Sequence, residues 1–180
     1  MKKKLFVLLA VIMVLLMVSM SALATPPDNN VQGRWCYGYF EEGEHKIAGG
    51  NEFYDMDSSD AWIVDEGYLG FSGFSESFGR VQVHPSGYTL LKTDTFLDPV
   101  TVDGRTGTLE MKVNGWLPVG GDLSDYEGLW VITTGTGELK GLQGRGTWGG
   151  VESNNPKCLD IDNGFLFSVP YSGSVHFEGD

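Results

Sequence analysis

Apolar and polar side chains alternate one for one along much of this chain. In Leu109-Glu-Met-Lys-Val-Asn114, Leu109, Met111 and Val113 fall on one side while Glu110, Lys112 and Asn114 fall on the other. That period of two marks a strand with one buried face. Near the C-terminus, Phe165, Phe167, Val169, Tyr171, Val175 and Phe177 share a face opposite Ser168, Ser172, Ser174, His176 and Glu178. Strand-forming runs separated by turn residues are expected at 33–40, 61–64 (running on toward 68–71), 77–84, 88–96, 106–116, 128–134 and 145–151. Residues 164–177 read as one long strand or as two broken at Pro170. The stretch holding Gly43, Gly49, Gly50 and the acidic run 55–60 reads as a loop with room for a short helical turn.

The run Leu129-Trp-Val-Ile-Thr-Thr134 feeds directly into glycines at 135, 137, 141, 144 and 146. A helix does not survive that density, because each glycine costs roughly 1 kcal/mol relative to alanine. A strand that ends, turns a tight corner at positive φ and begins again does suit it. About eight strands, each with a single buried face and no helix to cover an edge, favour an all-β fold closed into one antiparallel barrel. A β-sandwich is the alternative.

The N-terminus departs from this pattern. Three lysines precede an apolar run over 5–18, and Ala22-Leu-Ala24 supplies a small-x-small ending. This is the form of a secretory signal peptide over 1–24, followed by a polar linker over 25–31 and a barrel domain over 32–180. The alternative is an uncleaved anchor helix. The expected location is secreted or periplasmic, with no membrane association once the signal is removed. The net charge of −12 becomes more negative when the three lysines leave, which disfavours nucleic acid and anionic membranes as partners. There are 26 glycines, about twice the usual level of roughly 7%, but 5 tryptophans, 7 tyrosines and 10 phenylalanines exclude disorder. Cys36 and Cys158 are the only cysteines. In an oxidising compartment they are most simply a disulfide, whose long loop would contribute up to roughly 4–5 kcal/mol by chain entropy.

Three segments together are similar to a known family. These are Gly104-Arg-Thr-Gly-Thr-Leu-Glu-Met111, the run from Gly128 through the glycine corner to Trp148, and Tyr171-Ser-Gly-Ser-Val-His-Phe-Glu178. They resemble the allene-oxide-cyclase-like barrel proteins, particularly bacterial secreted members, and the corner resembles that of plant dirigent proteins. The resemblance runs from about residue 67 to the C-terminus. It implies an eight-stranded antiparallel barrel with a lumen able to hold a small apolar ligand. It further implies association into homo-oligomers, often trimers, through the outer barrel surface. Enzymes of this fold act mainly as shaped pockets, and no catalytic residue transfers to a position in this chain.

Candidate chemistry is sparse. Asp55, Asp57, Ser59 and Glu66 have an EF-hand-like spacing, but Asp60 stands where that turn needs glycine, so a solvated acidic loop is the expected reading. Asp160 and Asp162 read as a turn. His45, His84 and His176 are far apart and lack metal spacing. His176 shares a strand face with Glu178, opposite the aromatic face, and is expected at solvent. No catalytic residue, metal or cofactor is therefore expected. Trp62, Tyr68, Phe71, Phe167 and Tyr171 are the candidate ligand-binding residues, which either line an apolar cavity or simply fill the barrel. The functional expectation is an exported, non-catalytic barrel that binds a small apolar molecule. The alternative is a pocket-type cyclase or isomerase acting on a lipid-derived or phenolic intermediate.

Overall fold

The computed structural model describes residues 29–38, 41–162 and 164–178. The expected signal peptide and the first part of the linker lie outside the described residues. Ten strands are present among them: β1 Asn29–Tyr37, β2 Glu41–Ala48, β3 Asn51–Val64, β4 Ser72–Val83, β5 Thr89–Val102, β6 Arg105–Leu117, β7 Glu127–Gly135, β8 Leu142–Gly149, β9 Glu152–Ser153 and β10 Phe167–Phe177. β1 thus begins inside the segment read as linker.

The strands run antiparallel in the order β1-β10-β8-β7-β6-β5-β4-β3, and β3 returns to β1. This closes an eight-stranded barrel. Closure is made over a short register, with Trp35 opposite Trp62 and Tyr37 opposite Asp60. β2 continues the wall past that point by pairing with the first half of β3, from Asn51 to Asp57. β9 pairs only with Phe167 and Ser168. Pro170 is tolerated in β10 because the β9 pairing stops at Ser168 and the β8 pairing starts at Tyr171. The C-terminal segment is therefore one strand.

Two expectations are corrected here. The acidic run 55–60 is not a loop but the middle of β3. The run toward Phe71 is not a continuation of that strand. β3 stops at Val64, and residues 65–71 fold back across the barrel end, where Gln32 N–H donates to the Leu69 carbonyl at 2.8 Å.

At the glycine corner, β7 ends at Gly135, a single 3-10 turn spans Gly137–Leu139, and β8 begins at Leu142. Gly137 (φ 62°) and Gly141 (φ 82°) supply the left-handed backbone that the corner needs. The turn drops Leu139 into the barrel end, where it is fully buried. Val31, Leu97, Val100, Val102, Leu109, Leu142 and Val175 join it in a closed end packed with side chains.

Cys36 and Cys158 form a disulfide with Cα atoms 5.4 Å apart, a pairing compatible with an exported protein. Trp35 and Tyr37 point into the barrel, so Cys36 between them points out. There it meets the one-turn helix Pro156–Leu159, capped by the Asn155 side chain, in a small cluster with Ala61. The bond pins that helix to the outside of β1. Ser168, expected at solvent, is also buried on this outer side and accepts a hydrogen bond from Arg34 Nη1 at 3.2 Å. Among the described residues no helix is long and apolar enough to cross a membrane.

Candidate functional site

The end of the barrel opposite the glycine corner is hollow. A cavity of about 230 Å³, partly open to solvent, lies there. Its apolar wall carries Trp35, Trp62 and Trp148, with Tyr37 and Tyr126 near the mouth. The rings are held against one another: Trp35 lies 5.5 Å from Trp62 and 5.2 Å from Trp148, centroid to centroid, and Tyr126 lies 5.4 Å from Trp148. Trp148 fits because two glycines face it: a Cβ at Gly115 would sit 2.2 Å from the indole, and one at Gly128 2.5 Å. Leu117, Leu123 and Val151 complete the rim. The rim loop is fastened by Val151 N–H to the Leu123 carbonyl at 3.1 Å and by Gly150 N–H to the Tyr126 carbonyl at 2.8 Å.

The adjoining wall is polar. Three neighbouring strands each turn a polar pair inward: Ser58 and Asp60 from β3, Ser75 and Ser77 from β4, and Thr93 and Thr95 from β5. Their side chains form a connected row. Trp62 Nε1 donates to Ser75 Oγ at 2.8 Å, and Ser77 Oγ donates to Asp60 Oδ2 at 2.8 Å. Ser75 Oγ reaches Oδ2 more weakly at 3.4 Å, Ser77 and Thr95 hydroxyls pair at 3.0 Å, and Thr93 and Thr95 hydroxyls lie 3.4 Å apart.

Asp60 is the ionisable group at the centre of this row, with only 4% of its surface exposed. Burial pushes its carboxyl up to about 6, against the opposing pull of the hydroxyls of Ser77, Ser58 and Ser75. Its second oxygen, Oδ1, is buried and accepts no hydrogen bond from any described residue. None of the residues lining the cavity is Lys, Arg or His. The phenols of Tyr37 and Tyr126 share the space; burial pushes Tyr126 up to about 12 and Tyr37 further, so both are neutral at physiological pH.

The five residues singled out in the sequence are distributed over both ends. Trp62 lines the cavity. Phe71 and Tyr171 do not; they are buried in the plug between the cavity and the closed end, where the Tyr171 hydroxyl accepts from Phe71 N–H at 2.8 Å and Trp130 packs edge-on to Phe71. Phe167 packs beside Tyr37, centroids 5.1 Å apart, outside the cavity lining. Tyr68 is 53% exposed on the β3–β4 connection. Asp60, Trp35, Trp148 and the hydroxyl row escaped sequence reasoning. The available signal was the recurrence of polar-x-polar pairs at 58/60, 75/77 and 93/95 on three successive strands.

The EF-hand-like spacing does not form a site. β3 is extended, so Asp55, Asp57 and Ser59 are strung along it at roughly 3.3 Å per residue, and Asp55 is engaged by Arg80 Nε at 2.6 Å. Among the described residues no cluster of three or more His, Cys, Asp or Glu could hold a metal ion. His176 is half-buried on β10, and Glu178 is engaged by the Gln143 amide; neither lines the cavity.

No protein-family model matches the chain, and no match is found among curated proteins. Among solved structures, the chain is similar to a protein of unknown function from the DUF3224 family of Shewanella oneidensis MR-1. The TM-score is 0.57 at 17% identity, over 86% of this chain and all of that one. The likeness is one of fold.

Proposed function

We propose that this protein is an exported barrel that holds a small, largely apolar molecule in its lumen and does not transform it. The supporting observation is the cavity itself. Its volume, about 230 Å³, exceeds the roughly 150 Å³ at which an apolar cavity takes up benzene, so a ring with a short substituent would fit. Its wall of three indoles offers broad contact area, and the adjoining polar row offers hydrogen-bonding groups that would orient one end of the guest.

Native mass spectrometry of the oxidised protein, combined with thermal shifts on neutral aromatics such as toluene and indole, tests this. The expected result is a bound species released on denaturation and stabilisation by the added aromatics, both abolished when Val113→Trp fills the lumen. Absence of any adduct and of any stabilisation, in a folded protein, would refute it.

A second reading, a pocket-type isomerase, draws on Asp60: a carboxyl held near 6 in an apolar site can exchange protons at neutral pH. Turnover of an extracted guest by the native protein, lost in Asp60→Asn, would favour this over binding alone.

A further inference from the structure

We infer that the guest is a small hydrophobic amine, its ammonium group paired with the Asp60 carboxylate and its hydrocarbon part against Trp35, Trp62 and Trp148. This rests on the reading of the cavity as a binding site and names the chemistry that the site selects.

A buried acceptor without a partner is costly, and a buried charge without a counter-charge more so. Oδ2 is served by Ser77 and Ser75, whereas Oδ1 accepts nothing from the described residues. The hydroxyls of Ser75, Ser77, Thr93 and Thr95 are engaged with Oδ2 or with one another, and the indole N–H of Trp62 is committed to Ser75, which leaves Ser58 as the neutral donor nearest the carboxyl. A hydroxyl brings no charge, so the counter-charge that completes the site has to come from the occupant. A neutral alcohol would supply a hydrogen bond but leave the carboxylate charge uncompensated, and no basic side chain lines the cavity to do so. An anionic guest would place a second negative charge beside the first. An ammonium supplies both donor and charge.

Two further features point the same way. Cations are attracted to the faces of tryptophan and tyrosine, most strongly when desolvated, and the cavity lining has three of the former and two of the latter. The rim loop carries Asp122, Asp125 and Glu127 with no basic residue between them, and the whole chain has a net charge of −12. A cation approaching the mouth meets an attractive field, and an anion meets a repulsive one.

Isothermal titration with phenethylamine, 2-phenylethanol and 3-phenylpropanoate, and with hexylamine, hexanol and hexanoate, separates the outcomes. At pH 8 the amines are expected to bind at least 10-fold more tightly than the alcohols, with no binding of the carboxylates. Asp60→Asn should abolish the preference, so that on the variant amines and alcohols bind with equal affinity. Amine affinity should also fall as the pH drops below about 6, where the free carboxyl takes up its proton. The groups facing Asp60 from the adjoining strands are hydroxyls, indoles and the phenols of Tyr37 and Tyr126, none of which titrates in that range. Alcohols that bind as tightly as amines, or amine binding indifferent to Asp60→Asn, would overturn the inference while leaving the binding reading intact. Failure of all six compounds, together with no stabilisation by neutral aromatics, would overturn both.

Discussion

Replacing Asp60 with asparagine isolates what an unpaired carboxyl does to this fold. A carboxylate whose folded pKa is about 6, against an ordinary value of 3.8, is harder to ionise in the folded state than in the unfolded one. Between pH 3.8 and 6 the folded protein keeps a proton that the unfolded chain has released, so stability falls as pH rises through this window. This is the reverse of the usual salt-bridged carboxylate. Each pH unit of separation is worth about 1.4 kcal/mol, which gives about 3 kcal/mol lost by neutral pH and nothing lost below the unfolded value. Asparagine has the same shape, and its carbonyl can still accept from Ser77, but it cannot ionise. Urea unfolding of both proteins at pH 4, 5, 6, 7 and 8 reads the effect as a difference between two curves. Any constant cost of the amide then cancels, as do the other carboxylates, including Asp55 and Asp122, whose pKa values are lowered by Arg80 and Ser124 respectively. The variant should gain about 2 kcal/mol on the native protein between pH 4 and pH 7, because part of the full loss is already present at pH 4. A pH-independent difference would refute the buried-acid reasoning. A native protein that gains on the variant would mean that Asp60 is a compensated ion.

Tyr171→Phe removes the acceptor of the Phe71 N–H, leaving a buried donor in the plug; a loss of about 1–3 kcal/mol is expected, and an unchanged urea midpoint would contradict it. Replacing both Cys36 and Cys158 with alanine releases a loop of 122 residues, and a loss of about 2–4 kcal/mol is expected in the same assay. A variant as stable as the native protein would show that the one-turn helix holds β1 without the bond.

The closed end of the barrel is legible in the sequence and the cavity end is not, for a physical reason. On β6, Leu109, Met111 and Val113 are buried while Glu110 and Lys112 are exposed, so burial and hydrophobicity coincide. The glycine corner announces itself because backbone geometry, not side-chain packing, demands glycine there. On β4 the relation inverts. Ser75 and Ser77 point inward and are buried, whereas Phe74 and Phe78 point outward with 58% and 46% of their surface exposed. Periodicity finds a strand by assuming an apolar interior, and a lumen lined with hydroxyls breaks that assumption. β3 is disguised further, because Ser58 and Asp60 inside and Asp57 and Ser59 outside are polar alike. The same disguise hid Asp60, which reads as one member of an acidic run until the strand places it in the interior. In sequence Trp62, Phe71 and Tyr171 look alike, as large rings that either line a cavity or fill the barrel; the fold gives Trp62 the first place and Phe71 and Tyr171 the second.

Because the glycine corner and the plug beside it lie away from the hollow, the packing of one end of the barrel and the lining of the other are under separate control. Leu139, Phe71 and Tyr171 hold the strands in register without touching the hollow. The positions that shape the hollow, such as Ser58, Thr93 and Val113, take no part in the glycine corner or in the disulfide. A descendant of this chain could exchange those side chains one by one and reshape the hollow while inheriting the same closed end. The barrel is in that sense a socket with a fixed back and an interchangeable front.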